Sequence, residues 1–203
     1  MISILDYGMG NIQSVYNAFL YNNIKAKVIT EAKELNLADK LVFPGVSSFP
    51  DCIKELNRKN LTEALIQFIN SGKPYLGICL GMHILYEISY EIMITNGLSI
   101  IPGKIERFSQ KNINNKIKIP HIGWNNIKLV KENNLFKDIP DSTYFYFDHS
   151  FASFDIDHFN IATCDYGVSF SAAISKDNVY GLQFHPEKSA KYGLRIIKNF
   201  ANL

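Results

Sequence analysis

The sequence lacks the features that mark secreted, zinc-binding and membrane-spanning proteins. It has three cysteines, at positions 52, 79 and 164, and none belongs to a CxxC pair. This argues against a disulfide framework or a zinc site and favours a reducing compartment. No apolar run approaches the roughly 18 to 20 residues of a membrane helix. No basic segment with a cleavage site follows Met1, so we expect no signal peptide and a cytoplasmic location without membrane contact.

The sequence also lacks a charge excess. Its 21 Lys and Arg residues nearly balance 19 Asp and Glu residues, for a net charge of +2, which gives no electrostatic reason to expect a nucleic-acid partner. No two histidines have the spacing of a metal-binding pair, so we expect no metal and no other cofactor. The histidines are His83, His121, His149, His158 and His185.

Hydrophobic periodicity predicts alternating strands and helices up to about residue 97. The predicted strands lie at 2–5, 24–29, 40–43 and 75–79. Apolar residues recur at helical spacing from Ile12 to Leu20 and from Leu61 to Ile69. This alternation is typical of a mostly parallel sheet with helices on both faces.

The second half of the chain is richer in β structure. We predict strands at 99–108, 117–129, 143–147, 168–174 and 179–184, with a turn at Asn112–Asn115 and a closing helix from about residue 189. Two smaller predictions are that Asp51 caps a helix and that a helix continues through Ile84, Leu85 and Ile88. Without an internal repeat or linker, the chain is predicted to be one α/β domain spanning residues 1–203.

Gly77-Ile78-Cys79-Leu80-Gly81 has the form G-x-C-x-G between a predicted strand and a predicted helix. This is the pattern of a nucleophile elbow, where a sharp turn exposes the nucleophile and the next N–H faces a developing oxyanion. The following helix N-terminus lowers the pKa of a thiol. The alternative is a buried structural cysteine, which is how we interpret Cys52 and Cys164.

His185 and Glu187 flank Pro186 after an apolar run. In an extended segment, residues two apart project to the same side, and proline favours an extended residue before it. A carboxylate could then hold one imidazole nitrogen while the other accepts a thiol proton. The alternative is a solvated turn, and the elbow at Cys79 makes the catalytic interpretation the stronger one.

With these motifs the chain resembles the class I glutamine amidotransferases, and among them the glutaminase subunits of imidazole glycerol phosphate synthase. The elbow and His-Pro-Glu carry the wider resemblance. The narrower one rests on Asp6–Asn11, Pro44–Val46, His121–Asn125, Tyr146–Ser150 and Gly181–Ser189.

The resemblance implies a flavodoxin-like sheet and hydrolysis of glutamine to glutamate and ammonia. Cys79 would attack the glutamine amide, His185 would transfer the proton, and Glu187 would orient His185. The substrate-binding residues it implies are Gly45, Val46, Leu80, His83, His149, Ser150 and Phe151.

The resemblance also implies a heterodimer with a (β/α)₈-barrel cyclase, which would use the ammonia to make imidazole glycerol phosphate. Asn11, Trp124, Tyr146 and Lys188 would face this partner. For Trp124, the only tryptophan, composition alone would instead favour ordinary core packing.

The chain departs from the family pattern where Ser47 follows Pro-Gly-Val and His83 replaces a glutamine. It also has Asp148 at an apolar position and Phe151 at a tyrosine position. These departures keep open a relative that feeds ammonia to a synthase for an amino or amidino sugar of a surface glycan. An inactive regulatory subunit is a weaker alternative, because Cys79, His185 and Glu187 are all present. A cysteine peptidase or γ-glutamyl hydrolase is also weaker, because the opening motif fits the amidotransferases.

Overall fold

The structure is a computed structural model that describes residues 1–109, 117–156 and 158–203. The predicted turn at Asn112–Asn115 lies outside the described residues. The first elements are β1 (Ile2–Leu5), α1 (Ile12–Tyr21), β2 (Ala26–Ile29), α2 (Ala32–Asn36), β3 (Lys40–Gly45), α3 (Phe49–Arg58), α4 (Thr62–Asn70), β4 (Tyr75–Cys79) and α5 (Leu80–His83).

The later elements are mainly strands, in agreement with the predicted β-rich second half. They are β5 (Tyr86–Ser89), β6 (Thr95–Asn96), β7 (Ile101–Arg107), β8 (His121–Leu129), β9 (Tyr144–His149), β10 (Phe151–Ala152), β11 (Asn160–Asp165), β12 (Ser169–Lys176), β13 (Val179–Leu182) and α6 (Ala190–Ala201). Two short 3₁₀ turns lie at Asn134–Phe136 and Pro186–Lys188.

A nine-stranded sheet in the order β2-β1-β3-β4-β13-β12-β11-β8-β9 forms the centre of the fold. The pairs from β2 to β13 are parallel, and those from β13 to β9 are antiparallel. A four-stranded sheet has the order β10-β7-β5-β6. The predicted α/β class is confirmed, with a large sheet that is mixed.

Helices cover both faces of the parallel strands, as predicted. Ile4 of β1 packs in a cluster with Val15 and Phe19 of α1. The next residue, Leu5, packs in a second cluster with Leu65 and other residues of α4. Because successive strand residues point to opposite faces, each apolar strand residue contributes to one core or the other.

The predicted helix through Ile84, Leu85 and Ile88 is wrong, because α5 ends at His83, Ile84 and Leu85 form a turn, and β5 begins at Tyr86. Tyr86–Ser89 forms a strand because it pairs in parallel with β7 and antiparallel with β6, and the apolar spacing of this segment does not indicate either pairing. The predicted cap at Asp51 is also wrong. Ser48 caps α3, and its Oγ accepts a hydrogen bond from the Asp51 amide at 3.3 Å.

Strand β11 is not among the predicted strands. It is buried between β12 and β8 and pairs with both. No helix in the described ranges is long and apolar enough to span a membrane.

Close backbone packing surrounds the short helix α5. A Cβ added to Gly81 would lie 1.9 Å from the carbonyl oxygen of Phe43 in β3, and one added to Gly77 would lie 2.1 Å from the carbonyl oxygen of Gly81. No side chain fits at such distances. The two glycines of the elbow therefore allow α5 to pack directly on the ends of β3 and β4.

Gly81→Ala is expected to lower the free energy of unfolding by about 2 to 4 kcal/mol, because its methyl group overlaps backbone that cannot retreat like a flexible side chain. Urea unfolding measures the change. The matched control is Gly72→Ala, whose Cβ meets no atom within 4 Å although φ is +79°. It should cost only about 1 kcal/mol, from backbone conformation alone. Equal costs for the two variants would contradict this account of α5 packing.

Candidate active site

Two neighbouring parallel strands bring the candidate nucleophile and base to one edge of the sheet. Strand β4 ends at Cys79 and β13 ends at Leu182, and Leu182 is paired with Ile78. On the other side of β4, Gly45 at the end of β3 pairs with Cys79. The carboxyl edge of a parallel sheet is where α/β proteins commonly bind ligands.

Cys79 has a backbone conformation that is rare for a residue with a side chain. Its φ is +53° and its ψ is −107°, and such conformations typically cost about 1 to 3 kcal/mol. The chain turns sharply there from β4 into α5, and the side chain reaches a cavity while remaining only 7% exposed. Leu80 begins α5, so its amide N–H has no acceptor within the helix.

His185 and Glu187 form a buried hydrogen-bonded pair, with 2.8 Å between Nδ1 and Oε1. The expectation of an extended segment is wrong beyond His185, because Pro186–Lys188 is a 3₁₀ turn. This turn folds the carboxylate back onto the imidazole. The His185 amide also donates to the Tyr146 carbonyl at 2.9 Å, which fixes the backbone of the pair.

The surroundings of His185 favour the imidazolium form. Burial lowers its pKa, but a hydrogen bond and charge interaction with Cys79, together with those from Glu187, raise the pKa above its ordinary value. Because Nδ1 is bonded to Glu187, Nε2 is the nitrogen that faces the thiol. This geometry suits a thiolate–imidazolium pair oriented by a carboxylate.

The other two cysteines have different surroundings. Cys52 and Cys164 are buried, and burial is the main cause that raises the pKa of each thiol to about 12. Both thiols should therefore be unreactive at neutral pH. Among the described residues, no group of His, Cys, Asp and Glu side chains could hold a metal ion.

A cavity of about 300 Å³ opens beside Cys79 and His185. Its wall includes every residue that the sequence implied for substrate binding: Gly45, Val46, Leu80, His83, His149, Ser150 and Phe151. Ser47, Glu91, Pro120 and Asp148 complete the wall. The volume suits a small metabolite rather than a polymer segment.

The side chain of His149 has no free ring nitrogen for a ligand. Its Nδ1 lies 2.8 Å from the Phe151 carbonyl oxygen and its Nε2 lies 2.9 Å from Nδ1 of His121. Burial lowers the pKa of both imidazoles, that of His121 to about 4. His149 therefore lines the cavity as a neutral ring and holds the backbone of the Ser150–Phe151 segment.

Sequence analysis missed two residues at this site. Glu91 lines the cavity, and its Oε2 accepts a hydrogen bond from the Phe49 amide at 2.9 Å. It escaped notice because the preceding segment was assigned to a helix. Gln183 is fully buried and lies between His83 and Cys79. Its position just before Phe184 and His185 was the signal that could have identified it.

Three residues predicted to face a partner lie together on an exposed surface. Trp124 of β8 pairs with Tyr146 of β9, and the Lys188 ammonium lies 5.4 Å from the Tyr146 ring centroid. Trp124 is 52% exposed, so the core-packing alternative for it is wrong. Asn11 caps α1, accepting a 3.4 Å hydrogen bond from the Ser14 amide, and its role toward a partner stays a prediction.

The chain is similar to known proteins over its whole length. The family model described as Glutamine amidotransferase class-I matches residues 3–202. The "Imidazole glycerol phosphate synthase subunit HisH" of Caldanaerobacter subterraneus subsp. tengcongensis is 43% identical, over 100% of this chain and 98% of the relative. The protein of the same name from Methanosarcina barkeri shows the same identity and coverage.

Solved structures share the fold at low sequence identity. The structure of PurLQS from Thermotoga maritima matches with a TM-score of 0.76 at 18% identity, over 99% of this chain and 97% of that chain. A crystal structure of glutamine amidotransferase matches with a TM-score of 0.75 at 16% identity, over 100% of this chain and 99% of that chain. The family match over residues 3–202 and the relatives at 43% identity together establish that this chain belongs to the class I glutamine amidotransferase family.

Proposed function

We propose that this chain hydrolyses glutamine to glutamate and ammonia, with Cys79 as nucleophile, His185 as acid and base, and Glu187 as the carboxylate that orients His185. The observation that carries the proposal is the strained turn at Cys79, which holds a thiol against a buried His185–Glu187 pair at a cavity. We also propose that residues 1–203 act as one domain. The cytoplasm, where free thiols stay reduced, is the proposed location.

The reaction would proceed in two steps. The Cys79 thiolate adds to the carbonyl carbon of the glutamine side-chain amide, and the carbonyl electron pair moves to oxygen. When this intermediate collapses, the C–N bond breaks and the His185 imidazolium gives its proton to the departing ammonia. Water, deprotonated by His185, then attacks the thioester, and the C–S bond breaks to release glutamate.

The oxyanion formed in each step needs hydrogen-bond donors. The Leu80 amide is one candidate, and a backbone amide near Val46 is the other. One such donor is typically worth on the order of 10² to 10³ in rate. Ser47 does not have a positive φ, and its Oγ lies 3.3 Å from the Tyr7 hydroxyl, so this segment is held in an ordinary backbone conformation.

The cavity also suits the charged end of glutamine. Glu91 presents a carboxylate that could pair with the α-ammonium group, and burial raises its pKa in the unliganded protein. An ammonium ion would favour the ionised carboxylate. The segment Ser150–Phe151, held by His149, could offer backbone N–H groups to the α-carboxylate.

We further propose that ammonia passes to a cyclase subunit that makes imidazole glycerol phosphate. Two relatives at 43% identity carry the name of a subunit of that synthase. The finer proposal is that the partner is a (β/α)₈ barrel docked on the exposed face of β8 and β9. On that face Ile122, Trp124 and Tyr144 are all more than half exposed, next to the polar Asn126 and Asp148. Such faces often mark protein interfaces.

A second candidate keeps the glutaminase chemistry but supplies a synthase for an amino or amidino sugar. It is motivated by Ser47, His83 and Asp148, which all line the cavity. The names of the relatives favour the first candidate. The test is to co-purify this chain with its partner and to identify the substrate to which the partner adds ammonia.

Cys79→Ala should abolish glutamine-dependent turnover, by at least about 10³-fold, because Cys79 is the only thiol among the described residues that line the cavity. Ammonia-dependent turnover by the partner should persist. Glutamate release and product formation from glutamine or ammonium salts measure the two activities. Cys164→Ala is the matched control and should retain both. Unchanged glutaminase activity in Cys79→Ala would refute the nucleophile assignment.

Glu91→Gln should raise the KM for glutamine about tenfold or more with a much smaller effect on kcat, because a charged hydrogen bond to the α-ammonium is lost. Steady-state glutamate release measures both constants. Glu63→Gln, on the exposed side of α4, should leave them unchanged. A fall in kcat at constant KM would show that Glu91 does not bind the ammonium group.

A further inference from the structure

Gln183 bridges two groups at the buried side of the cavity. Its Oε1 lies 2.7 Å from Nε2 of His83, and its Nε2 lies 3.8 Å from Sγ of Cys79. Gln183 is 0% exposed and His83 is 4% exposed. Water is therefore a poor competitor for these contacts, and a hydrogen bond in such surroundings is stronger than on the surface.

The chemistry of the two neighbours determines which way the amide points. A neutral His83 with its proton on Nε2 donates to Oε1, which turns the NH₂ group toward the sulfur. Burial lowers the pKa of His83 to about 4, so the ring is neutral near pH 7. The opposite amide orientation would direct an oxygen at a thiolate, and two acceptors would then repel each other.

We propose that Gln183 is a further catalytic residue, which donates an amide N–H to the Cys79 thiolate, and that His83 is a positioning residue that fixes this amide. The proposal rests on the function proposed above, because it assumes that Cys79 reacts as a thiolate. His185 supplies a charge to the sulfur on one side, and Gln183 supplies a neutral donor on another. A donor that cannot be deprotonated stabilises the thiolate without competing for the proton that His185 must transfer.

His83 acquires a role different from the one that the family resemblance implied. A glutamine at this position was expected to hold the substrate. Here the His83 imidazole is hydrogen-bonded to Gln183, so the histidine that replaces the family's glutamine contacts another side chain of the same protein. A histidine and a glutamine can each donate one N–H to Oε1 of Gln183, whereas an apolar residue cannot.

Alkylation of the full chain by iodoacetamide tests the proposal without any partner. The thiolate sulfur forms a bond to the methylene carbon, and iodide leaves with the electron pair of the C–I bond. The rate follows the thiolate fraction. Mass spectrometry of the peptide containing Cys79 separates its labelling from that of Cys52 and Cys164, whose thiol pKa values are raised to about 12.

The pH midpoint of Cys79 alkylation is the readout. The titratable groups facing the site are Tyr7, His83, Glu91, Asp148, His149 and His185 with Glu187. None of these groups is itself substituted in the Gln183 variants, and His83, which is bonded to Gln183, is tested by its own variants. In Gln183→Leu we expect alkylation below the midpoint to slow about tenfold or more, as one hydrogen bond to a charged group is lost. The exposed Gln67→Leu is the matched control and should match the unmodified chain.

Two further variants make the test independent of folding defects. Gln183→Glu preserves shape but replaces the donor with a carboxylate, so its midpoint should rise more than that of Gln183→Leu. His83→Leu should raise the midpoint, and His83→Gln should restore it, which a merely structural role of His83 would not predict.

An unchanged midpoint in Gln183→Leu or Gln183→Glu, with Cys79 still labelled, would overturn this proposal and leave the proposed function standing. Failure of Cys79 to be labelled in preference to Cys52 and Cys164 in the unmodified chain would instead refute the proposed function. The same alkylation series therefore separates the two failures.

Discussion

The contact between the backbone of α5 and the ends of β3 and β4 is the constraint on which the site depends. Gly81 packs against the Phe43 carbonyl, and the chain enters α5 through the positive φ of Cys79. The same turn places the thiol at the cavity beside His185. A protein that relaxed this turn would gain stability and lose the alignment of thiol and imidazole, which is the common relation between strain and function.

Charge inside the site is arranged around that turn. His185 is held by Glu187 on one nitrogen and faces Cys79 with the other. His83 and His149 line the cavity, and His121 is hydrogen-bonded to His149. All three are neutral rings, because burial lowers the pKa of each one. One imidazole is thus favoured as a cation and three are kept neutral, so the positive charge is concentrated where the proposed thiolate forms.

Sequence predicted the parts of this protein that depend on local chemistry. The G-x-C-x-G pattern indicated the turn at Cys79, because glycines are needed where backbone segments pack closely. It could not indicate that β5 replaces a helix after His83, because the pairing of β5 with β6 and β7 determines this. The proximity of His185 and Glu187 was expected for an extended segment, but a 3₁₀ turn produces it. Gln183 was missed because its role depends on His83, a hundred residues away.

The central claim is that glutamine forms a thioester on Cys79. The most direct measurement mixes the chain, or its complex with the partner, with glutamine, quenches it in acid, and locates any added mass on peptides. We predict a γ-glutamyl group on the peptide containing Cys79, removable by hydroxylamine and absent from Cys79→Ala. Turnover of glutamine with no acyl group on Cys79, or with the group on another residue, would contradict the account.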